Sequence, residues 1–144
     1  MLGFGGCADK DAFSKFKLGE DEESAFDNTV FAKVLKGNKV YAVASAIYLN
    51  KVYPKRYKED TFYIIVFGKD KKFLQNISLT LNGEKVRFLE KLPPQNEYAH
   101  LLHINNQWSS YYLAKFPPQK KGTLSLKIIL SNKAEATLTF QKRR

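Results

Sequence analysis

The chain has little cysteine and no long hydrophobic run. Its 144 residues contain one cysteine, which excludes an intrachain disulfide, so packing alone must hold the core together. No apolar run approaches the roughly 18 residues needed to cross a bilayer, and no transmembrane helix is predicted. Low-complexity runs are absent, and a hydrophobic fraction of 44% is ample for burial. We therefore expect a single folded domain.

Motifs of catalysis and metal binding are missing as well. There is no Gly-x-Ser-x-Gly elbow, no phosphate-binding glycine loop and no His-Glu-x-x-His run. His100 and His103 are three residues apart on a predicted strand, which directs their side chains to opposite faces. We expect no catalytic residue, no metal site and no cofactor.

Charge is distributed unevenly along the chain. Residues 8–27 carry seven acidic residues and three lysines, whereas residues 28–144 carry 21 basic and seven acidic residues. The basic body should attract anionic lipid headgroups, nucleic acid, acidic glycans or acidic proteins, and the attraction should weaken with salt. The alternative is that the basic surface serves only solubility.

The single cysteine follows an apolar, small-residue stretch and precedes polar sequence. Phe4 to Cys7, with the sequence Phe-Gly-Gly-Cys, resembles the lipobox of bacterial lipoproteins. The resemblance implies that Cys7 receives diacylglycerol, that residues 1–6 are the tail of a signal peptide, and that residues 7–27 form a lipidated polar tether. Ala8, directly after the cysteine, implies sorting to the outer membrane. The alternative is an incidental thiol in a flexible leader.

Alternation of apolar and polar residues with a period of two dominates from residue 38 onwards. Ile77–Leu81, Leu124–Leu130 and Ala134–Phe140 each show the pattern of a strand with one solvated face. Val40–Leu49 and Thr61–Phe67 are denser in β-branched and aromatic residues, which predicts central strands.

Further segments complete the predicted set of strands. Tyr98–Ile104 and Ser110–Phe116 are bounded by proline and asparagine pairs, and Asn82-Gly83 predicts a two-residue hairpin turn. Glu20–Lys36 fits either a helix or, from Val30 to Leu35, a strand that enters a hairpin, and we favour the strand. Many short strands separated by turns indicate an antiparallel β-sandwich over residues 28–144.

The pattern from residue 28 to 144 is similar to that of small immunoglobulin-like lipoproteins of epsilonproteobacteria, the Campylobacter type. The likeness rests on Tyr63–Phe67, the Asn82-Gly83 hairpin, the closing pair Thr123–Phe140 and a composition rich in Lys, Asn, Tyr and Phe. It implies an all-β, immunoglobulin-like antiparallel sandwich of about seven to nine strands behind a flexible acidic tether. The immunoglobulin cysteine pair is absent and Trp108 comes late, which implies a variant topology.

Aromatic and basic residues cluster in two stretches of the chain. We predict that they form one binding patch, because amphipathic rings beside cations supply contact area at a low entropy cost. The patch comprises Trp108, Tyr111, Tyr112, Tyr53, Lys55, Arg56, Tyr57 and Lys58. The alternative is that these rings fill the core and pack on a sheet edge.

These observations predict a non-catalytic interaction module at the bacterial cell envelope, anchored to the outer membrane through Cys7. Its partner would be a protein or an anionic glycan, in adhesion, envelope assembly or host contact. A basic nucleic-acid-binding β-domain is the first alternative, disfavoured because no RNP-like motif is present. A cell-wall-acting enzyme is the second, disfavoured because no nucleophile or acid–base pair stands out.

Overall fold

A computed structural model of the chain describes residues 19–102, 106–120 and 122–142. Within these ranges, nine antiparallel strands hydrogen-bond into one curled sheet. The strands are β1 Thr29–Lys36, β2 Lys39–Tyr48, β3 Asp60–Phe67, β4 Ser78–Leu81, β5 Glu84–Lys85, β6 Phe88–Leu92, β7 Ser109–Phe116, β8 Gly122–Ile129 and β9 Glu135–Lys142. The helices are α1 Glu20–Asp27 and α2 Leu49–Val52, with 3-10 turns η1 Lys71–Leu74 and η2 Ala99–Leu101. None of the described helices has the length and hydrophobicity to cross a bilayer.

The strand order is β5-β4-β8-β9-β1-β2-β3-β7-β6, and the sheet folds over on itself. β1 and β9 share one registered pair, Leu35 with Glu135, and the inner faces on either side of that junction pack together. Phe140 on β9 lies 5.1 Å, centroid to centroid, from Phe62 on β3. The prediction of an all-β antiparallel sandwich of seven to nine strands is confirmed. The hydrogen-bonded sheet is continuous, whereas an immunoglobulin domain has two separate sheets.

Alternation along the strands decides which side chains enter the inner core. Leu124, Leu126 and Ile128 are fully buried, as the period-two pattern predicted. The predicted hairpin is also confirmed: Asn82 and Gly83 take φ values of 51° and 84°, the left-handed conformations that such a turn requires.

Two predictions are corrected. Residues 98–102 form no strand, because Asn96 and Tyr98 start local turns: Asn96 Oδ1 accepts a hydrogen bond from the Tyr98 amide, and the Tyr98 carbonyl accepts one from Leu101. Residues 103–105, with His103, lie outside the described residues. Of the ambiguous segment, Glu20–Asp27, which was predicted as part of the tether, is a helix, whereas the favoured strand from Val30 to Leu35 is confirmed within Thr29–Lys36.

The folded domain therefore begins earlier than predicted. α1 lies within the segment predicted as tether (residues 7–27), yet Ala25 is fully buried against the sheet. Gly19 precedes the helix, and its amide donates a 2.8 Å hydrogen bond to Glu22 Oε1, which satisfies one of the donors at the start of the helix. The packed domain thus includes α1, which was predicted as part of the tether.

A buried carboxylate ties the last strand to the third. Asp60 is fully buried and accepts hydrogen bonds from the Tyr48 hydroxyl at 2.6 Å, the Gln119 amide at 2.7 Å and Lys142 Nζ at 2.9 Å. Burial and the neighbouring carboxylate raise the pKa of the Tyr48 phenol, so it stays a donor. These bonds close the sandwich at the end where β3 begins.

The outer face of β2, β3 and β7 carries a second, smaller core. Its sheet residues are Ile47, Tyr63, Ile65, Tyr111 and Leu113. We call the segments that cover them the cap: α1, α2 and residues 93–102. The cap reaches only the half of the outer face nearest the start of β3, which we call the capped half.

Candidate functional site

The structure does not bring the predicted patch together. Trp108 lies where β3 ends, since its carbonyl accepts a hydrogen bond from the Gly68 amide. Tyr53–Lys58 precedes the start of β3, and the eight residues of that strand span about 27 Å. The two predicted stretches therefore occupy opposite ends of the sheet.

Tyr111 and Tyr112 belong to the two cores rather than to the surface. They are 1% and 3% exposed, and as neighbours on a strand they face opposite sides of the sheet. The Tyr112 hydroxyl donates a 2.8 Å hydrogen bond to the Leu74 carbonyl in the inner core. For these two rings, the alternative that aromatic residues fill the core is right.

The remaining predicted residues form a surface loop built around Arg56. Its guanidinium lies 5.3, 5.5 and 5.8 Å from the ring centroids of Tyr53, Tyr57 and Tyr98. Arg56 Nη2 also lies 2.6 Å from Glu97 Oε2. Cation–π attraction and the ion pair together fix a cation among three rings. We call residues Tyr53–Lys58 the tyrosine–arginine loop.

A row of tyrosines supports this loop from below. The hydroxyls of Tyr57 and Tyr98 lie 2.8 Å apart, and the Tyr98 ring packs on Tyr63 with centroids 5.5 Å apart. Asn96 donates a 3.1 Å hydrogen bond to the Tyr63 hydroxyl. Burial raises the pKa of Tyr63 to about 12 and also raises that of Tyr57, so both phenols are neutral at physiological pH.

Sequence reasoning missed Asn96, Glu97 and Tyr98 because Tyr98 was assigned to a strand. Pro93-Pro94 followed by Asn96 was the available signal, since this composition starts turns. The turn carries the chain back over the sheet, which brings Glu97 and Tyr98 to Arg56, 41 and 42 residues earlier in the sequence.

A shallow cavity of about 520 Å³ lies beside the loop, lined by Val52, Tyr53, Pro54, Lys55 and Arg56. Lys55 and Lys58 are exposed, while Tyr53 and Tyr57 are half-buried. The loop can therefore present ring faces and cations together to a partner at the surface.

Asp21 joins the cap to the tyrosine–arginine loop. Its Oδ2 lies 2.9 Å from His100 Nε2 and accepts a 3.2 Å hydrogen bond from the Tyr53 hydroxyl. The hydrogen bond with His100 is the main reason that the pKa of Asp21 is below its ordinary value. The placement of His100 on a strand was wrong, because it lies in η2 beside a carboxylate.

Two sequence predictions remain, on metal binding and on lipidation of Cys7. In the ranges that the structure describes, no group of three or more His, Cys, Asp or Glu side chains is placed to hold a metal ion. Cys7 lies outside the described residues.

Comparison of the chain with models of protein families, with curated proteins and with solved structures finds no match in any of the three.

Proposed function

We propose that this chain is a non-catalytic binding module of the bacterial cell envelope, anchored to the outer membrane through Cys7, in which the tyrosine–arginine loop contacts the partner. The observation that carries the binding role is the Arg56 guanidinium held over three tyrosine rings at the surface. Tyrosine and arginine are enriched at binding hot spots, because rings and a planar guanidinium give contact area at a low entropy cost. The anchor is supported by the sequence from Phe4 to Cys7.

An acidic partner fits the loop, either a glycan or a segment of protein. Lys55 and Lys58 are exposed on either side of Arg56, whose side chain is itself 45% exposed. Carboxylate or sulfate groups would pair with the lysines, while the ring faces of Tyr53 and Tyr57 would pack on the neutral part of the partner. Such contacts serve adhesion, envelope assembly or host contact.

The states of the ionisable side chains support binding rather than catalysis. Asp60 accepts hydrogen bonds from three donors in the core, and Asp21 is hydrogen-bonded to His100 of the cap and to Tyr53 of the loop. The burial of Tyr111 and Tyr112 disfavours the nucleic-acid alternative, because stacking on bases requires free ring faces.

The anchor is tested with a precursor that carries a complete signal peptide. We expect it to incorporate radioactive palmitate and to sediment with membranes, because several acyl chains give effectively irreversible insertion. The Cys7→Ser variant should be unlabelled and should fail to sediment stably. An unlabelled, soluble precursor would remove the anchor and the envelope assignment.

The loop is tested with heparin as an acidic glycan probe, at several salt concentrations. Replacing both Lys55 and Lys58 with glutamine should weaken heparin binding about tenfold, because each lysine pairs directly with the probe. The matched control replaces Lys85 and Lys120, exposed lysines outside the loop, and should retain most of the affinity. Equal losses in the two double variants would mean that the whole basic surface binds and that the loop has no special role.

A further inference from the structure

Half of the outer face of the sheet lies beyond the cap and exposes large apolar side chains. Phe31, Val43, Phe67 and Trp108 are 57%, 38%, 36% and 40% exposed, and we call them the open patch. Val43 on β2 is registered with Phe67 on β3, and the Trp108 ring meets the Phe67 ring edge-on with centroids 6.2 Å apart. These three side chains therefore form one continuous surface.

A groove of about 580 Å³ leads from the open patch around the ends of β2 and β3. Val43, Phe67 and Phe73 contribute apolar walls, and Lys39 and Lys69 also line it. Lys33 also lies on the outer face, because its neighbour Val34 points into the inner core. Lys33 is registered with Val43 of the open patch. Cations thus stand both within the patch and beside it.

Exposed lysines lie at this end of the sandwich, beside the open patch. They come from the β1–β2 hairpin, the segment after β3 and the turn between β8 and β9, which is held to η1 by the hydrogen bond from the Ser131 amide to the Phe73 carbonyl. We call them the basic rim: Lys36, Lys39, Lys69, Lys71, Lys72 and Lys133. Two acidic residues lie nearby. Asp70 is 3.8 Å from Lys72 Nζ, and Glu135, which is registered with Leu35, is 3.4 Å from Lys127 Nζ, so each has a lysine partner.

We propose that the open patch and the basic rim dock the domain on an anionic membrane surface. Trp and Phe side chains insert at the level of lipid headgroups, and lysine stems extend along apolar surface while their ammonium groups reach the phosphates. Anionic lipid attracts each nearby lysine strongly enough to change affinity about fivefold. An apolar patch bordered by lysines is complementary to such a surface on both counts.

Charge argues against a second copy or a protein as the occupant. A symmetric dimer through the open patch would bring two basic rims together, and like charges would oppose it. The cores of protein interfaces are also depleted of lysine, whereas Lys33 stands within this surface, registered with Val43. A lipid surface accepts the lysine and the rings together.

Docking by this end leaves the tyrosine–arginine loop free for its partner. The loop lies at the other end of β3, about 27 Å away. The twelve residues from Ala8 to Gly19 span at most about 40 Å, which is enough for an anchor at Cys7 to accommodate this orientation. The inference rests on the proposed function only for bringing the domain near a bilayer.

The experiment uses the full chain with Cys7→Ser, so that binding cannot come from an acyl chain. The probes are phosphatidylcholine vesicles with and without phosphatidylglycerol, and the reporter is Trp108, the only tryptophan. We expect binding to the anionic vesicles, a shift of Trp108 emission to shorter wavelength and reduced quenching by acrylamide. The neutral vesicles should bind much more weakly.

Matched variants assign the binding to the proposed surface. Replacing Lys39 and Lys69 with glutamine should weaken vesicle binding about 25-fold, the product of two fivefold losses. Replacing Lys85 and Lys120 makes the same change of net charge elsewhere and should weaken it far less. Phe31→Ser should cost about tenfold, whereas Phe26→Ser, at an exposed phenylalanine on α1, should have little effect.

Several results would overturn the proposal. They are failure to bind anionic vesicles, binding without a change in Trp108 emission, and equal losses in the two lysine pairs. Self-association that buries Trp108 without vesicles would replace the membrane with a second copy, and an acidic peptide that shifts Trp108 while vesicles do not would replace it with a protein partner. The Cys7→Ser variant used here cannot be acylated, so its vesicle binding does not depend on the anchor. Failure of palmitate labelling in the precursor would therefore leave the membrane-docking proposal intact, and failure of vesicle docking would leave the proposed anchor intact.

Discussion

The capped half and the open half of the outer face are built from the same strands and the same kinds of side chain. On β3, Tyr63 is fully buried, while Phe67, four residues later on the same face, is 36% exposed. On β2, Ile47 is fully buried and Val43 is 38% exposed. The strands supply apolar residues to both halves, so the presence of a cap decides which become core.

The first turn of α1 and the basic rim carry opposite charges. α1, which covers the capped half, carries Glu20, Asp21, Glu22 and Glu23 in its first turn, where the helix dipole favours negative charge. The open half is bordered at the strand ends by the basic rim. With the open half against an anionic surface, the acidic first turn of α1 would lie away from that surface and the basic rim would lie towards it.

The largest expected effect comes from truncating one aromatic side chain in each half. Tyr63→Ala should lower the free energy of unfolding by about 3–5 kcal/mol, because it leaves a cavity in the second core and removes the partner of Asn96. Phe67→Ala should cost only about 1–2 kcal/mol, because the ring is partly solvated in the folded state. Urea denaturation followed by circular dichroism measures both. Similar losses would mean that the two halves are packed alike.

A second pair of variants tests whether the packing of α1 keeps the apolar residues of the capped half buried. Ala25→Asp places a carboxylate at a fully buried position, so the helix should detach at a cost of about 2–3 kcal/mol and expose apolar surface to a hydrophobic dye. Phe26→Asp, the next residue, is 67% exposed and should change stability by about 0.5 kcal/mol or less. If Ala25→Asp left stability and dye binding unchanged, the cap would not depend on α1.

The sequence predicted the strands well and the cap poorly, for a physical reason. Alternation along Leu124–Ile129 follows directly from a face that is buried and a face that is solvated. The segments of the cap show no regular alternation of apolar and polar residues. Each is positioned by contacts that are distant in sequence, such as the hydrogen bond between Asp21 and His100, 79 residues apart. Composition in the first turn of α1 was acidic, and we interpreted it as tether rather than as a helix start.

In the candidate site too, the features set by local sequence were predicted and those set by contacts distant in sequence were not. Residues 53–58 were predicted as a surface cluster from composition, and the loop is at the surface. Trp108 was grouped with it, but the strand between them places it at the far end of the sheet. The sequence allowed Tyr111 and Tyr112 to be either surface or core residues, and composition could not decide between the two, since their burial depends on cover over both faces of β7.

The smallest expected effect concerns the hydrogen bonds of Asp21 with His100 and Tyr53, which join the cap to the tyrosine–arginine loop. The pKa of Asp21 is lowered from 3.8, chiefly by its hydrogen bond with His100, and the ionised carboxylate therefore stabilises the folded state. This contribution is fully present above pH 3.8 and is lost as the pH falls through the lower pKa of the folded state. Because the Asp21 side chain is 39% exposed, solvent screens the interaction, and Asp21→Asn should cost less than about 1 kcal/mol at neutral pH.

Urea denaturation at a series of pH values isolates this term, with Glu23→Gln, at an exposed acid of the same helix, as the control for charge. The difference between the parent chain and Asp21→Asn should shrink as the pH falls from 3.8 through the lower pKa of the folded state, below which both carry an uncharged side chain. A difference that persisted in acid would mean that the shape of the hydrogen-bonded group, and not its charge, stabilises the contact. No difference at any pH would mean that apolar packing around Ala25 alone holds the cap over the sheet, so that burial and not charge separates the capped half from the open one.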